Sequence, residues 1–409
     1  MQKGVWILKV LSQQLIKQTN LKQIYTLVAD NEGISRTNIA SLTRLSKTTV
    51  STLVEELLDA GFLLDAGAAQ TRRQGRKPNS LRVNDEGNVV AVVNWLRSKL
   101  QIASVGLGGT VKNFREKMFD PGQDYAAQIA DGYRALCAAL CADEHKPRVL
   151  ALCIIVPGII DPCQKRVFSS VLPVQAGEWV VRRLRAAIPN VPMAMFNDTA
   201  CYAYAEMSKG FLDDESSIFV NLSGGVGAVM FSGGKMLRGA NGMTTQFGHF
   251  SVVRDGALCR CGNRGCLERR IGESVLAERA REFMTAGEIE AFGAFTYQTV
   301  GRAADEGQPQ VCRMADSMAG DLAFALSNFI TLYNVRKCVI GGEARLLGNY
   351  FFERLQEHIT ACSFREFVSS CELQYSRLPK HAQFAGAARY FIDVHYRFEE
   401  NLTGKLFLR

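Results

Sequence analysis

The stretch GHFSVVRDGALCRCGNRGCLE, residues 248–268, carries one histidine and three cysteines whose spacing predicts a metal site. His249 is followed by Cys259 after nine residues, by Cys261 after one more, and by Cys266 after a further four. Three thiolates and one imidazole complete a closed tetrahedral zinc site and leave no position for a catalytic water. Because a single cysteine is often a buried free thiol, the prediction of one structural zinc ion depends on the whole cluster.

The end of this stretch resembles a known family signature. Residues 259–268, CRCGNRGCLE, are similar to the signature of the ROK family, which groups sugar kinases with sugar-responsive repressors. The resemblance implies an α/β body of two actin/hexokinase-like lobes, with a cleft between them, over residues 85–395. The zinc loop would then hold His249 against this cleft.

The bulk composition is that of an ordinary globular protein. The 409 residues are enough for two or three domains, and 47% of them are hydrophobic and 22% charged. The apolar stretch 5–11 is too short to span a bilayer, and no small-residue cleavage site follows it. The twelve cysteines are scattered as in a reduced compartment. We therefore expect a cytoplasmic protein without membrane insertion.

Positive charge is concentrated at the N-terminus. Residues 1–83 hold 12 lysines and arginines against 6 acidic residues, and the whole chain has a net charge of +8. A compact basic domain on a nearly neutral body favours a nucleic-acid-binding module joined to an effector domain. A solvated basic face is the alternative that charge alone leaves open.

Three helical patterns follow one another within residues 20–60. We place their starts at Asn20, Ser35 and Ser46, of which Asn20 and Ser46 are plausible N-caps, and we place the end of the third helix at Gly61. The second pattern directs Ile39 and Leu42 inward. A short helix, a tight turn and a longer helix predict a helix-turn-helix.

The exposed start of the third helix has the composition of a recognition surface. It offers short hydrogen-bonding side chains and one cation, at Ser46, Lys47, Thr48, Thr49, Ser51 and Thr52. Such side chains suit base edges and phosphates in the major groove of DNA. The polar face of a protein-binding helical bundle remains the alternative.

A predicted hairpin follows, with strands at 62–64 and 80–83. Its polar connection carries a cluster of cations, Arg72, Arg73, Arg76 and Lys77. Arginine-rich tips of this kind can enter a narrow minor groove. We therefore predict a winged helix-turn-helix domain over residues 1–83, which ROK repressors also carry and ROK kinases lack. It would bind a pseudo-palindromic, double-stranded operator as a homodimer or a dimer of dimers.

The body changes to alternating strand and helix patterns after residue 85. We assign residues 84–215, together with a C-terminal helix over 385–409, to lobe 1. Residues 216–384 form lobe 2, which contains the zinc loop. Strands are expected at 89–93, 100–105, 149–156, 193–196 and 338–340, and helices at 124–142, 199–208 and 322–333.

The segment that would bind ATP phosphates departs from the kinase pattern. The resemblance places an Asp-x-Gly-Gly-Thr loop of ROK kinases at residues 94–98, where this chain reads Asn94, Trp95, Leu96, Arg97 and Ser98. Glycines in such a loop let backbone N–H groups approach an anion closely. We therefore predict that the chain is not an enzyme. The segment GLGGT at 106–110 lies one turn later and is treated as a chance likeness.

The sugar-binding residues, in contrast, are largely retained by resemblance. They are Asn197, Asp198, Gln246, His249 and Glu268. Asp198 matches the base of ROK kinases, although it could equally cap the helix that it precedes. Gln246 replaces the usual glutamate, and its amide keeps an acceptor oxygen while adding a donor.

Together these features predict a transcriptional regulator, a repressor of sugar uptake or catabolism genes, controlled by a sugar or sugar phosphate between the lobes. Two alternatives stay open. The first is a sugar kinase with a fused DNA-binding domain. The second is a repressor controlled by a protein such as a phosphotransferase-system subunit, for which the tail 390–409 would be either a docking element or a closing helix.

Overall fold

The computed structural model describes residues 13–68, 79–161, 166–169, 172–175, 178–210, 212, 216–239, 246–362 and 364–398. Within these ranges the chain forms a helical N-terminal domain with a small sheet, followed by a two-lobed α/β body. This architecture confirms the predicted fold class. The four cations of the wing tip, Arg72, Arg73, Arg76 and Lys77, lie outside the described residues.

The N-terminal domain is a three-helix unit closed by a three-stranded sheet of order β1-β3-β2. Its elements are α1 Gln13–Asp30, β1 Ile34–Ser35, α2 Arg36–Thr43, α3 Lys47–Asp59, β2 Leu63–Ala68 and β3 Asn79–Val83. The predicted cap Ser46 is confirmed, and the second helix starts next to Ser35, which also acts as a cap. Ser35 Oγ accepts from Asn38 N at 3.2 Å and Ser46 Oγ accepts from Thr49 N at 3.0 Å.

Two sequence predictions in this domain are wrong. Helix α1 begins at Gln13, so Asn20 lies inside the helix and caps nothing. The added turns carry no apolar stripe and are largely exposed, and a Lys17–Glu56 ion pair of 2.9 Å joins them to α3. Leu42, predicted to point inward, is 61% exposed because the short helix α2 buries mainly Ile39 and Ala40.

Lobe 1 is built on a five-stranded sheet of order β10-β7-β4-β5-β6, in which β4, β7 and β10 are parallel. Strand β7 is buried from Leu150 to Val156, as expected for a parallel strand covered on both faces. The elements are β4 Asn88–Trp95, β5 Lys99–Gly106, β6 Val111–Met118, α4 Tyr125–Cys141, β7 Arg148–Val156, β8 Ile159–Asp161, β9 Arg166–Phe168, α5 Val180–Ala187, β10 Met193–Asn197 and α6 Asp198–Ser208.

Lobe 2 repeats this plan with a sheet of order β13-β12-β11-β14-β15. The long helix α11 packs against α12 and fills the core beside the sheet. The elements are β11 Ser217–Leu222, β12 Val226–Ser232, β13 Lys235–Met236, α7 Glu268–Ile271, α8 Leu276–Ala280, α9 Ala286–Phe292, α10 Tyr297–Asp305, α11 Pro309–Tyr333, β14 Lys337–Gly342, α12 Gly348–Cys362, α13 Arg365–Val368 and β15 Glu372–Tyr375.

The chain then returns to lobe 1 and continues to the N-terminal domain. Helix α14, Ala382–Tyr390, packs so closely on α6 that a Cβ added to Gly386 would lie 1.8 Å from the Cys201 carbonyl oxygen. The helix predicted over 385–409 therefore begins earlier. It also gives way to a π turn at Phe391–His395 and to extended backbone at Tyr396.

This change of conformation turns the aromatic side chains that follow α14 into the core of the helical domain. The Phe398 ring lies 5.0 Å from the Phe62 ring and 5.2 Å from the Tyr25 ring, measured between centroids. The Tyr396 ring lies 5.6 Å from that of Phe62. Tyr25 Oη also donates to the Leu107 carbonyl at 3.2 Å, which joins α1 to the GLGGT turn. The helical domain and lobe 1 therefore share one hydrophobic core.

Replacing Phe62 by alanine is expected to lower the free energy of unfolding by about 3–5 kcal/mol, because the ring is fully buried among three other aromatic rings. Denaturant unfolding measures this change. The matched control is Leu42→Ala in the same domain, which removes an exposed side chain and should alter stability by no more than about 0.5 kcal/mol. Equal effects of the two substitutions would contradict the shared core.

Candidate functional site

A cleft of about 1800 Å³ separates the two lobes. The carboxyl ends of the parallel strands β7 and β10 in lobe 1, and of β11 and β14 in lobe 2, open into it. Open α/β sheets commonly bind ligands at such strand ends. The cleft wall includes all five residues predicted for the sugar pocket, Asn197, Asp198, Gln246, His249 and Glu268.

The predicted metal ligands converge at the edge of this cleft. The donor atoms of His249, Cys259, Cys261 and Cys266 all lie within 4.8 Å of one another. Cys261 Sγ is 3.7 Å from Cys266 Sγ, and Cys259 Sγ is 3.7 Å from His249 Nδ1. Tetrahedral zinc with Zn–S bonds of about 2.3 Å separates its sulfur ligands by about 3.8 Å. The donor set and its spacing therefore fit a closed metal site.

Short backbone contacts shape the loop that carries the cysteines. Cys259 N donates to the Asn263 carbonyl at 2.8 Å, which closes a tight turn around Cys261. Gly265 has φ +68°, and an added Cβ would lie 1.7 Å from the Val253 carbonyl oxygen. A glycine is required there, because any side chain would push the two sides of the loop apart. His249 stands on a separate 3-10 turn and directs Nδ1 toward the cysteines, which leaves Nε2 for other contacts.

The sequence left open whether Asp198 caps helix α6 or faces the pocket, and the structure gives the cap to Asn197. Asn197 is the N-cap of α6, since its Oδ1 accepts from Ala200 N at 3.2 Å, and its Nδ2 donates to the Gly158 carbonyl at 2.8 Å. Asp198 is the first helical residue and accepts from Thr199 N at 2.7 Å. Asp198 is thus not the N-cap, and its carboxyl lines the cleft. Burial raises the pKa of Asp198 to about 6.

Glu268 is buried where the cysteine loop enters α7. Its Oε2 accepts from Val226 N at 3.1 Å and its Oε1 accepts from Arg260 Nη2 at 2.8 Å. Both contacts hold the carboxylate at the cleft wall, and Arg260 lines the cleft as well. Sequence reasoning missed Arg260, although its place between Cys259 and Cys261 was a signal that it would be held near the pocket.

The segment at residues 94–98 forms an ordinary hairpin between β4 and β5. Leu96 N donates to the Lys99 carbonyl at 3.0 Å, and Arg97 is exposed toward the cleft. Asn94 is buried at the cleft wall, and its Nδ2 donates to Gln101 Oε1 at 2.9 Å. The GLGGT turn at 106–110 lies against the helical domain through Leu107, which supports its dismissal as a phosphate loop.

Residues from the C-terminal segment also line the cleft, a contribution that the sequence analysis missed. The Tyr390 ring stacks on the Tyr204 ring with centroids 4.3 Å apart and on the Phe196 ring at 4.5 Å. Arg238 of lobe 2 donates to Tyr390 Oη at 3.0 Å. His395 packs against the same rings, and burial lowers its pKa to about 4, so that its imidazole is neutral near pH 7.

The predicted recognition face lies at the start of α3. Ser46, Lys47, Thr48 and Thr52 are exposed, and Thr49 and Ser51 are partly exposed. Several of the hydroxyls stabilise the helix itself: Ser46 bonds Thr49 N, and Thr52 Oγ1 donates to the Thr48 carbonyl at 3.1 Å. The side chains of Lys47, Thr48 and Ser51 make no such intrahelical bond within the described residues, and they are available to an external partner.

Comparison with known proteins gives two family matches. Residues 97–394 match the ROK family, and residues 18–63 match a winged helix-turn-helix DNA-binding domain. The xylose repressor of Caldicellulosiruptor bescii is 27% identical over 399 residues, which cover 94% of this chain and 98% of that protein. The N-acetylglucosamine repressor of Escherichia coli O157:H7 is 24% identical over 380 residues, which cover 91% of this chain and 92% of that protein.

A solved structure shares the whole architecture. It is described as a ROK family transcriptional regulator, a homologue of the Escherichia coli MLC protein. It superposes with a TM-score of 0.80 at 24% identity and covers 95% of this chain and 98% of its own. At this identity the likeness shows the common fold. Among the described residues, no helix combines the length and the apolar content that a membrane crossing requires.

Substitution of Cys266 by serine is expected to abolish stoichiometric metal binding, because the buried thiolate is one of four ligands. Elemental analysis of purified, dialysed protein measures the bound metal, and the wild type should hold one ion per chain. Cys141→Ser, which changes an exposed cysteine on α4, is the matched control and should retain the ion. A wild type without bound metal would refute the site.

Proposed function

Since the chain belongs to the ROK family and carries a winged helix-turn-helix domain, we propose that it is a sugar-responsive transcriptional repressor of sugar uptake or catabolism genes. The observation that carries this proposal is the shared core between the DNA-reading domain and a lobe of the ligand cleft. The two relatives described above align over nearly the whole chain and are named as repressors, one for xylose and one for N-acetylglucosamine.

DNA recognition would use the start of α3 in the major groove. Lys47 supplies a cation for a phosphate, and Thr48 and Ser51 supply short hydrogen-bonding groups for base edges. The cations of the wing tip, Arg72, Arg73, Arg76 and Lys77, would add contacts in the minor groove. A homodimer, or a dimer of dimers, would place two such helices on a pseudo-palindromic operator. Acting on DNA in this way, the protein would work in the cytoplasm.

The effector would be a sugar or sugar phosphate bound between the lobes. Asp198, Gln246 and Glu268 offer acceptors for hydroxyl groups, and His249 offers Nε2. The metal is best taken as zinc, because three thiolates and an imidazole are its characteristic structural ligands. Zinc held by His249, Cys259, Cys261 and Cys266 would supply no chemistry beyond fixing the loop. The two relatives respond by name to different sugars, so the sugar is not transferred from either.

The C-terminal segment offers a physical connection between effector and DNA. Tyr390 lines the cleft, Arg389 pairs with Asp30 of α1 at 2.9 Å, and Phe398 lies in the core of the helical domain. A sugar that binds one lobe arrangement better than another would shift the position of this segment, and with it the spacing of the two recognition helices.

Phosphoryl transfer is not part of this proposal. Leu96 and Arg97 stand where the kinase pattern has glycines, and their side chains would block a close approach of backbone N–H groups to phosphate oxygens. The retained Asp198 is the observation that favours a kinase. ADP release from ATP with D-xylose, D-glucose or N-acetyl-D-glucosamine tests that second function, and sugar-dependent turnover would establish it.

Two aromatic residues of the tail that was considered as a docking element, Tyr396 and Phe398, are buried, which argues against control by a docked protein partner. Tyr396 and Phe398 are already buried against α1 and the end of α3, so these residues offer no surface to a phosphotransferase-system subunit.

Fluorescence anisotropy with DNA upstream of the protein's own and neighbouring genes tests the repressor. Tight, competitor-resistant binding at about physiological salt, abolished by one sugar of a panel, is the expected result. Lys47→Ala should weaken binding to all DNA sequences, since one phosphate contact is lost. The slope of the logarithm of the binding constant against the logarithm of the salt concentration should then fall in magnitude by about one. Lys117→Ala, an exposed lysine of lobe 1, should change neither. Specific binding that no sugar alters would favour a protein partner, and a lack of specific binding would refute the proposal.

Sugar affinity should depend on the ionisation of Asp198. Because burial raises its pKa to about 6, the carboxyl is ionised at pH 7.5 and becomes largely protonated at pH 5.5. An ionised carboxylate accepts two hydroxyl donors, so affinity for the panel sugar should fall about fourfold between these pH values. Calorimetric titration measures the change. Asp198→Asn should bind more weakly and without this pH dependence; an unchanged profile in the variant would exclude Asp198 as the titrating group.

A further inference from the structure

We propose that Arg260 determines sugar specificity: with Glu268 it forms an ion pair that reads two neighbouring hydroxyl groups of the effector. This proposal rests on the proposed function, since it concerns the ligand of the same cleft. It assigns Arg260 a contact with the ligand in addition to its contact with Glu268.

The geometry of the pair leaves both side chains free to contact a ligand. Arg260 Nη2 donates to Glu268 Oε1 at 2.8 Å, and both residues line the cleft. The Arg260 side chain is 44% exposed, whereas that of Glu268 is 11% exposed. A guanidinium has five N–H donors, and within the described residues Glu268 is the acceptor recorded for Arg260. The other donors are available to an oxygen atom in the cleft.

The cysteine loop positions the backbone of Arg260, and a backbone hydrogen bond positions the carboxylate of Glu268. Arg260 lies between Cys259 and Cys261, so the metal loop sets the position of its backbone. Glu268 Oε2 accepts from Val226 N, and an added Cβ at Gly225 would lie 3.0 Å from that oxygen. The carboxylate is therefore fixed, and its ion pair with Arg260 sets the acceptor oxygens of Glu268 next to the N–H donors of the guanidinium.

The acceptor oxygens of Glu268 beside the N–H donors of Arg260 match the two adjacent hydroxyl groups of a vicinal diol. One hydroxyl would donate to a Glu268 oxygen, and the oxygen of the neighbouring hydroxyl would accept from an Arg260 N–H. Gln246 is uncharged, and the Arg260–Glu268 ion pair carries no net charge of its own. A neutral polyol with adjacent hydroxyls then pays no net charge penalty there. Removal of either hydroxyl would lose one hydrogen bond to a charged group, which is a strong basis for discrimination.

A plain counter-ion role for Arg260 makes a different prediction. If the guanidinium only neutralised Glu268, its loss would weaken every sugar equally and would leave the ratio between a sugar and its deoxy analogue unchanged. The ratio therefore separates a ligand contact from a structural one.

The experiment is calorimetric titration of the full-length, metal-loaded protein with D-xylose, D-glucose, N-acetyl-D-glucosamine and their monodeoxy analogues. For the sugar that binds, the wild type should reject one deoxy analogue by roughly tenfold or more, as expected for a hydrogen bond to a charged group. Arg260→Ala should lose most of that discrimination and Arg260→Lys should recover part of it. Arg264→Ala, an exposed arginine of the same loop, is the matched control and should behave as wild type. An unchanged ratio in Arg260→Ala would overturn the proposal.

A second measurement does not require a known sugar. In a double-mutant cycle of thermal unfolding, Arg260→Met and Glu268→Gln should be non-additive, because each substitution alone leaves the partner's charge uncompensated. Additive effects would show that the pair is not formed and would overturn the proposal by themselves. If the cycle is coupled and no sugar of the panel binds, the proposed sugar response fails, and the vicinal-diol role of Arg260 fails with it. Elemental analysis of each variant confirms that the metal is retained.

Discussion

The packing of the C-terminal segment, residues 382–398, is the contact on which the arrangement of the whole chain depends. Helix α14 lies in backbone contact with α6 at Gly386, so the two helices move as one body. A few residues later, Tyr396 and Phe398 complete the core of the helical domain. The segment therefore belongs to the cleft at one end and to the DNA-reading domain at the other.

The cysteine loop acts on the cleft from the opposite side. It places His249, Arg260 and Glu268 on the wall of lobe 2, while α6 places Asp198 on the wall of lobe 1. A loop without regular secondary structure has little intrinsic rigidity, and four ligands on one bound ion would supply it. The walls of the cleft are thus supported differently, by a hydrophobic core beneath lobe 1 and by a cluster of candidate metal ligands beside lobe 2.

Sequence patterns were reliable where a residue acts through local chemistry. Ser35 and Ser46 cap the helices that follow them, and the four metal ligands meet although their positions span 18 residues of chain. They failed where a distant contact decides the outcome. Helix α1 includes the turns before Asn20, which an ion pair between Lys17 and Glu56 joins to α3. Asn197 rather than Asp198 caps α6, and the Gly158 carbonyl accepts from the Asn197 amide.

The sequence by itself determined the fold class, the metal ligands and the candidate recognition face, because capping, ligand spacing and apolar periodicity are short-range properties. Only the tertiary structure decided that the tail closes the core of the DNA-reading domain, that the GLGGT turn faces that domain, and that Arg260 meets Glu268 in the cleft. Each of these contacts depends on the direction in which a backbone turn points a side chain. That direction is set by packing between segments far apart in the chain, which no local pattern encodes.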